Sequence, residues 1–310
     1  MRVLLFLTLA IAVAASLASD QLHIYGPYEV DMPITAGWVL NGENIYVSSE
    51  MVISNVSTTG EIKSNLFVGE WIYEMSVTDE YLVVMTNTSR LLVYTMDGAR
   101  LHANFTIPQV SGGYALVTTK DYIILLSLED NDYNSKTNVD FYSYGGECIS
   151  RTVLPYVVWA RAPYGSDSIV TSNEIYPWNQ TYMFIAYPNG TYTETLLNKH
   201  RLALDVQHHH DHLYFSSVGI YRVKPSGKIV RHTRSEMNTY SFSFYQHHTI
   251  YLSWTDNANT SYVFIDDDSH NITIPFTPTP SFYLGLAVSK SGKIITSIPG
   301  KLLIYELPTK

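Results

Sequence analysis

The sequence predicts an all-β fold: seven four-stranded antiparallel blades forming a β-propeller, with the ring closed by the N-terminal strand. Three observations predict it. A complete four-strand unit can be read between Trp71 and Ile107, the signature of its second strand recurs seven times, and the last copy lacks a strand that the N-terminal run can supply.

In the complete unit, Ile72 to Thr78 and Tyr81 to Met85 are β-rich runs hinged at Asp79-Glu80. Leu91 to Tyr94 follows a polar turn, and Asp97-Gly98 hinges into Arg100 to Ile107. Short runs of β-branched and aromatic residues joined by such turns read as a meander. One sheet of this size cannot bury both faces, so it needs neighbours built the same way.

The second-strand signature recurs at Ile45, Leu82, Ile123, Ile169, Tyr214, Tyr251 and Ile295, with steps of 37, 41, 46, 45, 37 and 44 residues. Propeller blades repeat at about 40 to 45 residues. The third hinge recurs as Thr59-Gly60, Asp97-Gly98, Gly145-Gly146, Asn189-Gly190 and Ser226-Gly227; the sixth copy has the acidic turn Asp266 to His270 instead. After Lys301 to Glu306 the seventh copy runs out, while Gln21 to Val30 is a strand-like run with no partner of its own. Pairing the two closes the ring and removes the free sheet edges of an open array.

Residues 1–18 are expected to be a signal peptide, because Arg2 precedes an apolar run from Val3 to Ala15 that ends in Ser16-Leu17-Ala18; residues 19–310 form the single propeller domain. The apolar run is too short to span a bilayer, and no later stretch approaches the roughly 20 residues required. Asn-x-Ser/Thr sequons at Asn55, Asn87, Asn104, Asn179, Asn189, Asn259 and Asn271 fit a secreted glycoprotein. Cys148 is the only cysteine, so disulfides do not staple this fold; it reads as a small buried hydrophobe on a strand from Glu147 to Val153. The formal charge is −9; without Arg2, 18 basic against 28 acidic residues leave −10, which disfavours nucleic acid and anionic membrane as partners.

Leu213 to Lys228 and Tyr81 to Gly98 resemble blades of the NHL, TolB-like and gluconolactonase-like propellers, and the likeness extends over nearly the whole mature chain. The resemblance implies that first-to-second and third-to-fourth strand turns share one face of the disc, here the turn face. Second-to-third turns and inter-blade links share the other, the link face. Gluconolactonase-like enzymes ligate a divalent metal on the channel axis through an early Glu, central Asn residues and a late Asp. Glu70 or Glu74 can stand for the first, and the others have no matching position. No Ser-x-Asp-x-Gly box, Gly-x-Ser-x-Gly elbow, His-Glu-x-x-His helix or phosphate loop occurs.

Gln207-His-His-His-Asp-His212 occupies the first hairpin turn of the fifth copy, and Gln246-His247-His248 the corresponding turn of the sixth. Neutral imidazole suits zinc or copper, so His208, His210, Asp211, His212, His247 and His248 are candidate ligands for a divalent transition metal. The other five copies carry ordinary turn residues there, which gives the alternative of a solvated, pH-sensitive hairpin. Arg161 and Asp205 fall in one slot of the innermost strands of adjacent blades, as a candidate channel ion pair. Asp266 to Asp268 and Glu129 to Asp132 offer oxygen ligands without the spacing of a calcium loop, and Tyr176-Pro-Trp178 offers a stacking surface beside Asn179. The function expected is a binding scaffold for an extracellular protein, peptide or glycan. The alternatives are a metal-dependent hydrolase or lactonase and a structural matrix or coat protein.

Overall fold

The structure, a computed structural model, describes residues 25–97, 99–108, 114–129, 135–173, 180–199, 203–233, 238–254, 260–266, 268–275, 285–298 and 300–307. Every regular element among them is a β-strand. The N-terminal strand β1 is Tyr25–Asp31. Blade one follows as β2 (Gly37–Asn41), β3 (Asn44–Ser49), β4 (Val52–Ser57) and β5 (Ile62–Phe67). Blade two is β6 (Ile72–Val77), β7 (Tyr81–Thr86), β8 (Arg90–Thr95) and β9 (Leu101–Thr106), within a residue or two of the unit read from the sequence.

Blade three comprises β10 (Tyr114–Thr118), β11 (Ile123–Leu128), β12 (Thr137–Tyr142) and β13 (Cys148–Leu154), and blade four β14 (Val158–Tyr164), β15 (Ser168–Asn173), β16 (Gln180–Ala186) and β17 (Tyr192–Lys199). Blade five comprises β18 (Asp205–His209), β19 (His212–Ser217), β20 (Gly219–Val223) and β21 (Ile229–Arg231), and blade six β22 (Asn238–Tyr245), β23 (His248–Trp254), β24 (Thr260–Ile265) and β25 (Asp268–Pro275). Blade seven has only β26 (Leu286–Val288), β27 (Lys293–Ile298) and β28 (Lys301–Glu306) from its own segment. Its fourth strand is β1, and the sheet order is β1-β28-β27-β26. The pairing is antiparallel, with Tyr28 opposite Ile304 and Asp31 opposite Lys301.

The core is a set of seams. Seven apolar clusters each join one blade to the next, including Val83, Leu116 and Ile123 between blades two and three, and Ile45, Val47, Ile295, Leu302 and Ile304 across the closure. Both faces of each sheet are covered, so the second and third strands read as continuous apolar runs; Leu82 to Met85 and Leu91 to Val93 are all buried. Outermost strands alternate toward solvent, which leaves Ile62, Leu101, Ile149 and Val153 exposed on the rim. The closure is also clasped at the turn face: Glu43 of blade one accepts from the Ser291 N–H (2.8 Å) and hydroxyl (2.7 Å) of blade seven.

Cys148 departs from the expectation of a buried thiol. It is exposed, at the first residue of β13 beside the Gly145-Gly146 hinge, where the outermost strand has no neighbour to cover it.

Candidate functional site

The innermost strand of each blade has one edge that no strand of its own sheet can pair, and that edge faces the central channel. Unpaired backbone groups there need other partners. The sequence supplies them from the preceding blade. Glu74 Oε2 accepts from Leu116 N at 2.9 Å, and Ser76 Oγ from Thr118 N at 3.0 Å, tying blade two to blade three. Asn41 Nδ2 donates to Thr78 O at 2.9 Å, tying one to two. Asp205 Oδ2 accepts from Phe242 N at 3.2 Å and Ser241 Oγ at 3.3 Å, tying five to six, and Ser241 Oγ in turn accepts from Leu286 N of blade seven at 3.3 Å.

Glu74 and Asp205 are therefore equivalent residues: each stands five positions before the first hairpin turn, at Asp79 and His210 respectively. Arg161 does not pair with Asp205. Its guanidinium reaches across blade three to Glu74, two blades away, and Asp205 has no cationic partner among the described residues. Counted back from its hairpin turn at Lys120, blade three offers only Ala115 at the intervening slot, with no charge for either neighbour, and the long arginine reaches Glu74 instead.

Burial raises the Glu74 carboxyl, opposed by Arg161 and the Leu116 N–H. Burial pushes Asp205 up to about 7 against the same kind of backbone hydrogen bond, with no cation to oppose it. Between blades one, two, six and seven the channel opens into a cavity of about 630 Å3, lined by Trp38, Glu74, Met75, Ser76, Ser243 and Leu286 among others.

The histidine hairpins lie at the turn face. His210 and Asp211 are the two turn residues between β18 and β19, and both have positive φ (45° and 59°), the conformation of a type I′ turn. His209 is paired with His212 across that turn. Consecutive residues splay to opposite sides of the ribbon, so the imidazoles go to different neighbours. The His208 ring lies 4.7 Å from Tyr164 of blade four. The His209 ring stacks on Phe244 of blade six at 4.3 Å and 11°, and His212 Nδ1 lies 2.7 Å from its own turn's His210 carbonyl.

In blade six, His248 Nδ1 meets Asp266 Oδ2 at 2.7 Å, while Gln246 takes the positive φ of 54° and His247 stays on the exposed turn. Among the described residues, no three His, Cys, Asp or Glu side chains are grouped so as to hold a metal ion. What the two hairpins form is a cluster of imidazole and aromatic rings, partly exposed at His208, His209 and Phe244 and buried at Tyr214. Phe244 contacts Tyr214 at 4.7 Å, and Tyr214 contacts His232 at 5.2 Å, with His232 Nε2 at 2.9 Å from Thr249 Oγ1. Burial, followed by the neighbouring His210 and His208 charges, holds His209 below the ordinary histidine value.

Asn189 sits in the third-to-fourth strand turn of blade four, Asn87 in the second-to-third turn of blade two, and Asn104 on the exposed β9. Asn179 and Asn259 lie outside the described residues, as do Tyr176 to Trp178 and most of Glu129 to Asp132. Asn271 lies on β25. Asn55 lies on β4, third in its sheet. A feature the sequence reading missed is the bulge that places Tyr73 out of register between Ile72 and Glu74, leaving its ring half exposed at the link end of β6. A single inserted residue leaves no mark on the period of the repeat.

No protein-family model matches the chain, and no characterised protein matches it in sequence. Its fold is similar to those of many solved structures, three of which follow. Streptogramin B lyase is 13% identical, over 94% of this chain and 100% of that one, with a TM-score of 0.67. A chain in a crystal structure of the mitotic checkpoint complex is 12% identical over 94% of each, at 0.68. BamB from Moraxella catarrhalis is 9% identical, over 92% and 100%, at 0.57. At these identities the likeness carries architecture and not chemistry: this chain is a seven-bladed β-propeller, a fold that serves both binding scaffolds and enzymes.

Proposed function

We propose that this protein is a secreted, glycosylated binding propeller that holds an extracellular protein partner on the turn face of blades four to six. The observation that carries the reading is the run of partly exposed rings at adjoining turns, Tyr164 against His208 and His209 stacked on Phe244, spread over three blades, with Tyr214 buried against Phe244. Aromatic and imidazole groups of this kind supply large, rigid contact area with polar tips, the composition of binding hot spots. The charged groups of the channel support the same choice over a hydrolase. Glu74, Arg161 and Asp205 are engaged in holding blade to blade, rather than converging with free valences on a common point.

Glycan shielding tests the face. A sequon built into the histidine hairpin (H209N with D211T) should abolish binding of the secreted protein to the cells or extracellular material of its source. One built on the rim of blade four (T193N) should leave it intact. Binding lost with T193N and kept with H209N/D211T would place the partner elsewhere.

A further inference from the structure

The seam between blades one and two departs from a pattern that blades two, three and four keep. In blades one to four the turn after the third strand is marked by a hydrogen bond: Ser57 N to Glu61 O, Thr95 N to Arg100 O, Ser143 N to Glu147 O and Tyr187 N to Thr191 O. Two residues before that turn, blades two, three and four send Val93, Phe141 and Ile185 into the seam with the next blade. Blade one places Asn55 there. Its register partners are Tyr46 on one side and Ser64 on the other, a row that faces blade two.

The substitution has left space. A cavity of about 510 Å3 lies between Tyr46, Asn55, Ser64 and Asn65 of blade one and Tyr94 and Asp97 of blade two, with apolar side chains behind them. Asn55 Oδ1 is buried there without a hydrogen-bond partner. An unsatisfied buried amide oxygen is destabilising, and a cavity beside it adds to that cost. The cavity is amphipathic, with tyrosine rings on two sides and amide, hydroxyl and carboxylate groups toward the rim, where Ser64, Asn65, Asp97 and Ala99 are exposed. Asn55-Val56-Ser57 is also a sequon.

We propose that Asn55 carries an N-linked glycan whose first sugar is seated in this cavity as a structural part of the seam. The inference rests on the secretory reading above. A pyranose has an apolar C–H face for the Tyr46 and Tyr94 rings and a hydroxyl edge for Ser64, Asn65 and Asp97; the rest of the chain leaves through the rim. The modification joins Asn55 Nδ2 to the anomeric carbon of an oligosaccharyl diphosphate donor. The diphosphate departs with the bonding electron pair, and Nδ2 loses one proton. It acts on the extended chain before β4 is paired on both sides, so burial in the folded protein does not prevent it.

The test uses the full chain secreted from a glycosylating cell line, with site occupancy read by glycopeptide mass spectrometry. The folded protein is then exposed to peptide-N-glycosidase. Asn55 should be occupied, and its glycan should be released at least about tenfold more slowly than those of the exposed Asn104 and Asn189, a difference that vanishes after unfolding. Occupancy at Asn104 or Asn189 with none at Asn55 overturns the inference and leaves the secretory reading standing. Equal release rates in the folded protein overturn the seating. A chain with no sugar at any sequon overturns the glycoprotein reading and this inference with it.

Discussion

Glu74 and Arg161, separated by 87 residues and by the whole of blade three, form an ion pair on the channel wall while the other Glu74 oxygen holds the backbone of Leu116. One carboxylate thereby fixes three successive blades. Removing one partner of a buried pair strands a charge, whereas removing both need not. Because the Arg161 side chain is about a third exposed (32%), the cost is discounted. Either R161M or E74M should lose about 1–3 kcal/mol, and the double variant should recover part of it. Urea unfolding of the cycle decides the matter, with additivity to within about 0.5 kcal/mol as the contrary result.

Asp205 makes stability depend on pH in an unusual direction. Its folded value of about 7 lies above the ordinary 3.8, so the folded state binds more protons than the unfolded one between these values. Stability from this group is greatest in acid, falls as pH rises from about 4 to about 7, and is flat beyond; the limit for such a shift is about 4 kcal/mol. The variant D205N keeps an acceptor for Phe242 N and Ser241 Oγ. It should melt higher than the parent at pH 8 and lose the slope between pH 4 and 7. A parental slope in D205N would assign it to another group.

His209 acts with the opposite sign. Its folded value lies below the unfolded one, so its contribution is present above about pH 6.5 and is lost on acidification. The groups facing it are His210 and His208 of its own hairpin and Phe244 of blade six. A phenylalanine keeps the stack on Phe244 and removes the charge. Melting curves of H209F from pH 7.5 to 5 should fall less steeply than those of the parent, and coincident curves would contradict this.

The ring closure gives a prediction at the level of the fold. Residues 25–31 complete the seventh sheet, and Val30 and Met32 belong to the seam cluster with Ile45 and Ile304. Deleting 25–31 exposes the edge of β28 and half of that seam. The truncated protein should be retained in the cell as misfolded material; efficient secretion with an unchanged melting temperature would show the strand to be dispensable.

The fold was legible because its signals are local. Hinges such as Asn189-Gly190 recur in five of the seven copies and apolar second-strand runs such as Leu82 to Met85 in all seven, and the missing last strand points to Tyr25–Asp31. The channel partners were not legible, since they depend on register to within two residues. Aligning Asp205 with Arg161 by the apolar strand pattern is one residue out, since Asp205 stands four and Arg161 three residues before the pair that closes each hairpin; counting back from the hairpin turn aligns Asp205 with Glu74. The histidines could be placed at their hairpins from the sequence. Their ring partners could not, because Tyr164 and Phe244 come from neighbouring blades.

The most direct measurement of the proposed function is backbone hydrogen exchange of the protein, alone and saturated with material that it binds. Protection should appear in the hairpins at 207–212 and 244–248 and at Tyr164, with the link segments at 68–73 and 87–89 unchanged. Protection confined to those link segments, with the histidine hairpins exchanging as in the free protein, would contradict the account.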